Sequence, residues 1–179
     1  MTLFIVSTIS SLVFANYLQG QRQIELRQAA VGIADAIEHA QSLALSASSV
    51  GGVTPAAFGF FLTTTSTSPV VFADDGDNIY QPGEGVSVPV STFPTGVTLT
   101  IQRERCGPGA VQELSVGDAT VLFTPPLPVT NIVALNPAES CERVCILPEV
   151  AGERWWVRVV RSGTTEYGKY TGGPLCPEI

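Results

Sequence analysis

The chain has 179 residues, of which 45% are hydrophobic and only 14% charged, a balance that excludes a disordered polymer or a multi-span membrane protein and fits one core with an appendage. Its net charge of −7 and pI near 4.6 set up a field that repels phosphate backbones and anionic lipid, so nucleic acid is not expected as a principal partner.

The first segment, Met1 to Phe14 (MTLFIVSTISSLVF), carries no charge and no proline or glycine. Leu3, Phe4, Ile5, Val6, Ile9, Leu12, Val13 and Phe14 are its apolar helical set, the expected membrane anchor or filament core. Counted to Leu18 it falls short of the ~20 residues that a helix needs to cross a bilayer. A cleaved secretory signal fits poorly, because no Lys or Arg precedes the apolar run and no A-x-A site follows it. Ser7, Ser10, Ser11 and Ala15 are small enough to let helices approach closely.

After Gly20 the period is helical: Leu26, Ala30, Ile33, Ile37, Ala40 and Ala44 form one stripe, with Arg22, Glu25, Gln28, Asp35, Glu38 and Gln41 on other faces. Gly20 and Gly32 each cost an isolated helix ~1 kcal/mol relative to Ala, so a bend or local melting is expected at Gly20. The helix is expected to stop between Ser48 and Gly52. Strand patterns follow at Phe58 to Leu62, Val70 to Phe72, Val86 to Val90, Val97 to Ile101, Ala119 to Phe123, Asn131 to Leu135 and Trp155 to Val160, with Pro and Gly between them. The expected fold class is α+β: a long N-terminal helix, apolar in its first half and amphipathic in its second, packed on an antiparallel β-sheet head. The segments are 1–20 for the anchor or filament core, 21–50 for the amphipathic helix and 51–179 for a β-rich head with disulfides.

Between two of these strands lies Asp74-Asp75-Gly76-Asp77-Asn78-Ile79-Tyr80-Gln81-Pro82-Gly83-Glu84. Asp75, Asp77, Asn78 and Glu84 could supply oxygens to calcium, yet the spacing fails the EF-hand pattern. Asx side chains that bond their own backbone explain the same residues as a turn, which is the preferred reading, and no cofactor is expected.

Four cysteines, Cys106, Cys141, Cys145 and Cys176, have 34, 3 and 30 residues between them, which lacks the paired knuckles of a zinc site. Two disulfides are expected, in three possible arrangements. Cys141–Cys145 with Cys106–Cys176 is favoured because it pins the C-terminal tail to the body. Along Trp155 to Val160, Trp155, Val157 and Val159 share one face and Trp156, Arg158 and Val160 the other. Trp156 and Arg158 are candidates for surface binding to glycan or DNA, against the preferred reading of core packing with an Arg stacked on Trp156. The only histidine, His39, sits on the helix, and no nucleophile elbow, phosphate loop or Cys–His pair appears, so no catalysis is expected.

The run SLVFANYLQGQRQIELRQAAVGIADAIEHAQSLALSAS, then AFGFFL and VVFADDGDNIYQPGE, resembles the bacterial type IV pilin and pseudopilin family over about the first hundred residues. The resemblance implies a structural subunit whose N-terminal helix joins copies of itself or other pilins in an extracellular filament. It further implies an inner-membrane stage before assembly, a prepilin peptidase and an assembly machinery. Were Met1 the mature first residue, Ile5 would stand where the family carries an acidic residue. Aligning Phe14-Ala15-Asn16-Tyr17 with the family's segment instead puts about seven residues ahead of Met1 and restores bilayer length, and this second alignment is the expected one. The alternative function is a binding head, anchored alone in the membrane or set at a filament tip.

Overall fold

The computed structural model describes the backbone of residues 2–106, 113–125, 129–133, 140–172 and 176. Side chains are described within that set from residue 16 onward, except 105, 106, 113–116 and 140, and at 10, 13 and 14. The side chains of Leu3, Phe4, Ile5, Val6, Ile9 and Leu12 lie outside the described residues.

Among the described residues one helix, α1 (Thr2–Leu45), precedes nine strands. They are β1 (Ala57–Thr63), β2 (Val70–Asp74), β3 (Thr98–Cys106), β4 (Glu113–Val116), β5 (Asp118–Thr124), β6 (Val129–Val133), β7 (Ser140–Val150), β8 (Glu153–Val160) and β9 (Thr165–Lys169). All strand pairs are antiparallel, in the order β2-β1-β5-β6-β7-β3-β4, with β8 on β7 and β9 on β8. The chain is α+β, one helix packed on an antiparallel sheet.

The 44 residues of α1 span about 66 Å at 1.5 Å per residue. The helix runs unbroken through Gly20 and Gly32, so the local melting expected at Gly20 is not seen. Gly32 has a packing reason: a Cβ there would lie 3.3 Å from the Ser91 Cβ, so its absence lets the 86–93 segment lie against the helix. The stripe Leu26, Ala30, Ile33, Ile37, Ala40 and Ala44 is fully buried. From Ala30 to Ala44 it meets Phe58, Phe60 and Leu62 of β1, Val121 and Phe123 of β5, and Val157 and Val159 of β8 in one core. The alanines are what let the helix axis come near the sheet.

The helix ends at Leu45, earlier than expected. Ser48 N–H donates to the Leu43 carbonyl at 3.2 Å and Ala47 N–H to the Ala44 carbonyl at 3.1 Å, with Ala47 at φ 47°. That is a Schellman stop, with alanine in the left-handed position that glycine usually fills.

The Val86 to Val90 strand is also corrected. Only Val86 N–H joins β2, at the Val71 carbonyl, because Pro89 has no donor with which to continue a ladder. The alternation still marks the inward side, since Val86, Val88, Val90 and Phe93 pack half-buried against the core. Strands β4, β7 and β9 carry no expected pattern, and residues 134 and 135 of the expected Asn131 to Leu135 strand lie outside the described residues.

Candidate functional site

Among the described residues, exposed large apolar side chains gather at both ends of α1. At the N-terminal end, the described side chains from Ser10 to Gly20 are all exposed. Val13 and Phe14 are each 64% exposed, Tyr17 67% and Ile24 59%. Among the described residues no helix is long and apolar enough to cross a membrane.

The head begins where Leu26 enters the core. Two grooves flank Ile24 and Arg27 there. One, of about 520 Å³, opens toward Ser91 and Thr92; the other, of about 550 Å³, opens toward Trp155, Tyr167 and Gly168. Arg22 and Arg27 are exposed and form no ion pair with any described residue.

At the other end of the helix, the acidic loop follows β2. Asp74 is buried and accepts hydrogen bonds from the N–H of Gly76 (3.1 Å) and Asn78 (2.9 Å). Burial raises its carboxyl above the ordinary aspartate value, against the lowering effect of the two N–H bonds, and the nearby Asp77 and Glu84 charges add to the rise. Asp77 accepts from Ile79 N–H at 2.9 Å and from Gln81 Nε2 at 2.6 Å, and Glu84 from Gln81 N–H at 2.7 Å. Asn78 sits at φ 65°, a conformation that asparagine tolerates. These are the bonds of a self-satisfied turn.

Carboxylate oxygens of Asp74, Asp75 and Asp77 come within 4.8 Å of one another, whereas Glu84 of the expected calcium set is not in that group. Sequence reasoning left out Asp74, which the strand end buries. Tyr80 clamps the loop to the outer sheet face, stacked 4.7 Å from Phe61 and edge-on 5.3 Å from Phe72.

The cysteine arrangement is corrected. Cys145 bonds Cys176, with Cα atoms 6.1 Å apart, so neither Cys106–Cys176 nor Cys141–Cys145 forms. The short loop was never reachable: Cys141 and Cys145 lie on one strand, where four residues of extended chain span about 13 Å, beyond disulfide reach. Cys141 is disulfide-bonded too, and the residue opposite it across β3 and β7 is Cys106. The tail is pinned as expected, but through β7. There Cys145, Leu147 and Cys176 form a small outer-face core with Trp156 and Tyr170.

Arg158 is withdrawn as a surface-binding residue. It is 3% exposed, its Nη2 pairs with Glu166, and its guanidinium lies 5.7 Å from the Trp156 ring centre. Gly168 allows this stack, since a Cβ there would fall 2.9 Å from the same ring. Trp156 is half-buried, whereas Trp155, Val157 and Val159 face the core under α1.

The chain matches no protein-family model, no curated protein and no solved structure.

Proposed function

We propose that the chain is a structural subunit of an extracellular, pilin-like filament, held in the assembly by the N-terminal half of α1. The observation that carries this reading is the division of one continuous helix. From Leu26 to Ala44 its stripe is sealed against the sheet, while Val13, Phe14 and Tyr17 stand more than half exposed on a rod outside the head. Large apolar side chains in water favour a partner surface. Association with further helices removes them from water without altering the head. The resemblance of residues 11–48 and the two following segments to type IV pilins and pseudopilins supports the same role, including an inner-membrane stage before assembly.

The test is mass spectrometry and electron microscopy on filaments sheared from producing cells. The expected result is this chain as a component of the filaments. Its absence from them, with a monomer retained in the membrane fraction, overturns the reading in favour of a singly anchored binding head.

A further inference from the structure

Among the described residues, the exposed large apolar side chains sort to the two ends of α1, apart from Val129. Around the rod and the start of the head stand Val13, Phe14, Tyr17, Leu18, Ile24 and Tyr167. At the far end stand Leu45, Val50, Val53 and Ile79. Among the described residues, charges without ion pairs also stand at both ends, with Asp35 and Glu38 on the helix between them. Arg22 and Arg27 flank Ile24, with the half-buried Glu25 leaving that turn net positive. Asp75 and Glu84 line a cleft of about 250 Å³ whose other walls include Val50, Val53 and Pro55.

We propose that the Arg22–Ile24–Arg27 shoulder of one copy docks on the Val50, Val53, Asp75 and Glu84 end of a second copy. This rests on the filament reading and adds to it a contact between heads that the rod does not supply. The shoulder joins exposed Ile24 to a turn of net positive charge, with Asp35 farther along one of its grooves, and the far end joins Val50 and Val53 to the carboxylates of Asp75 and Glu84. Asp75 is exposed and has no ionic partner among the described residues, while Asp77 is held by Ile79 and Gln81 within its own loop. Opposed charge fixes register and suppresses the like-to-like pairings of shoulder on shoulder or end on end.

The two surfaces are different patches of one chain, about 30 Å apart along the helix from Ile24 to Leu45. Such a contact is heterologous and does not close on itself as a twofold dimer does; repeated, it propagates an open, polar filament. The Ile24 and Arg27 side chains supply the insert, and the aliphatic wall of the cleft with its carboxylates receives an arginine stem and head.

The experiment compares full-length wild type, Arg27→Glu, Asp75→Arg and an equimolar mixture of the two variants, each solubilised in mild detergent, by sedimentation at low and high salt. Melting curves on the heads of both variants confirm folding. Each single variant sets like charges together and is expected to weaken association at least about tenfold. The mixture offers two compatible junctions, reversed on reversed and native on native, and is expected to recover wild-type association. High salt is expected to narrow the differences.

A single variant that associates like wild type, a mixture no better than its components, or a wild-type chain that does not self-associate overturns the docking. Filaments that form in cells with either reversed charge, unaltered in yield and length, also overturn it while leaving the filament reading intact. Cells whose filaments lack the chain overturn the filament reading itself.

Discussion

The two halves of α1 are one helix by hydrogen bonding and two different objects by packing. The half from Leu26 to Ala44 spends its apolar side chains on the sheet, with six stripe residues fully buried. The half before Gly20 is more apolar in sequence, yet its described side chains are all exposed. Hydrophobicity alone therefore does not say where a helix is buried in the monomer; what decides is whether the chain folds a surface against it. The difference implies that substitutions in the two halves affect different equilibria, head folding on one side and association on the other.

The strongest break of that comparison is Ile33→Ala. Ile33 is fully buried at the centre of the helix–sheet core, so truncation is expected to cost about 3–4 kcal/mol of head stability. A denaturant midpoint on the full chain measures it. A loss below about 1 kcal/mol would mean that the helix is not held by this stripe. Next in size is the paired replacement Cys145→Ser/Cys176→Ser. The bridge closes a sequence separation of 31 residues, and its loss is expected to cost about 3 kcal/mol through the freed unfolded chain. Peptide mapping of the native protein should find the two cysteines in one linked pair; a Cys106–Cys176 link would overturn the arrangement.

Arg158→Ala comes third, at about 1–3 kcal/mol, because it removes a buried guanidinium from Glu166 and from the Trp156 face. Thermal melting reads this. Unchanged stability would return Arg158 to the list of surface residues.

How much of this was legible follows from the same physics. The period of the buried stripe and the apolar runs of β1, β5 and β8 were readable, since alternate residues of each strand face the core under α1. Strand β7 was not. Its SCERVCILPEV sequence carries Glu142, Arg143, Pro148 and Glu149, which break a strand signature. It is nonetheless ladder-bonded on both edges, with Arg143 satisfied by Glu104 at 2.8 Å and Glu149 by Arg154 at 2.6 Å. Strand β9 is short, polar and at an edge, where pattern is weakest. Because β7 was missed, the cysteines on it were free to be paired with each other on paper. In the acidic loop the turn was readable from Asx chemistry. The burial of Asp74 was not, because it depends on where β2 ends against the 50–56 segment.

Two smaller effects sharpen the picture at the far end of the helix. Ala47→Gly should stabilise by about 0.5–1 kcal/mol, since glycine adopts the left-handed stop without the Cβ penalty; a destabilisation in melting would show that the Ala47 methyl contributes more than its strain costs. Asp74 should leave a pH signature. Its folded-state value lies above the ordinary 3.8, so the folded chain holds the proton to higher pH than the unfolded one. Its contribution to stability is therefore fully present below 3.8 and falls as pH rises through the raised value. Asp74→Asn removes that dependence. The stability difference, wild type minus variant, is expected to shift toward the wild type as the pH drops from 7 toward 4, and a flat difference would contradict the cause assigned to the shift.

The smallest expected effect on stability is the most informative about the comparison. Phe14→Ser replaces a side chain that is 64% exposed and on the far side of Gly20 from the head. Head stability should change by less than about 0.5 kcal/mol, as is usual for surface positions. If the rod is an association surface, the same change should nevertheless lower filament yield, because it removes aromatic area that only a partner can cover. A melt shifted by a kilocalorie or more would tie the rod to the head. An unshifted melt with full filament yield would remove Phe14 from the contact and move the weight of assembly onto Val13 and Tyr17, its exposed neighbours on the same rod.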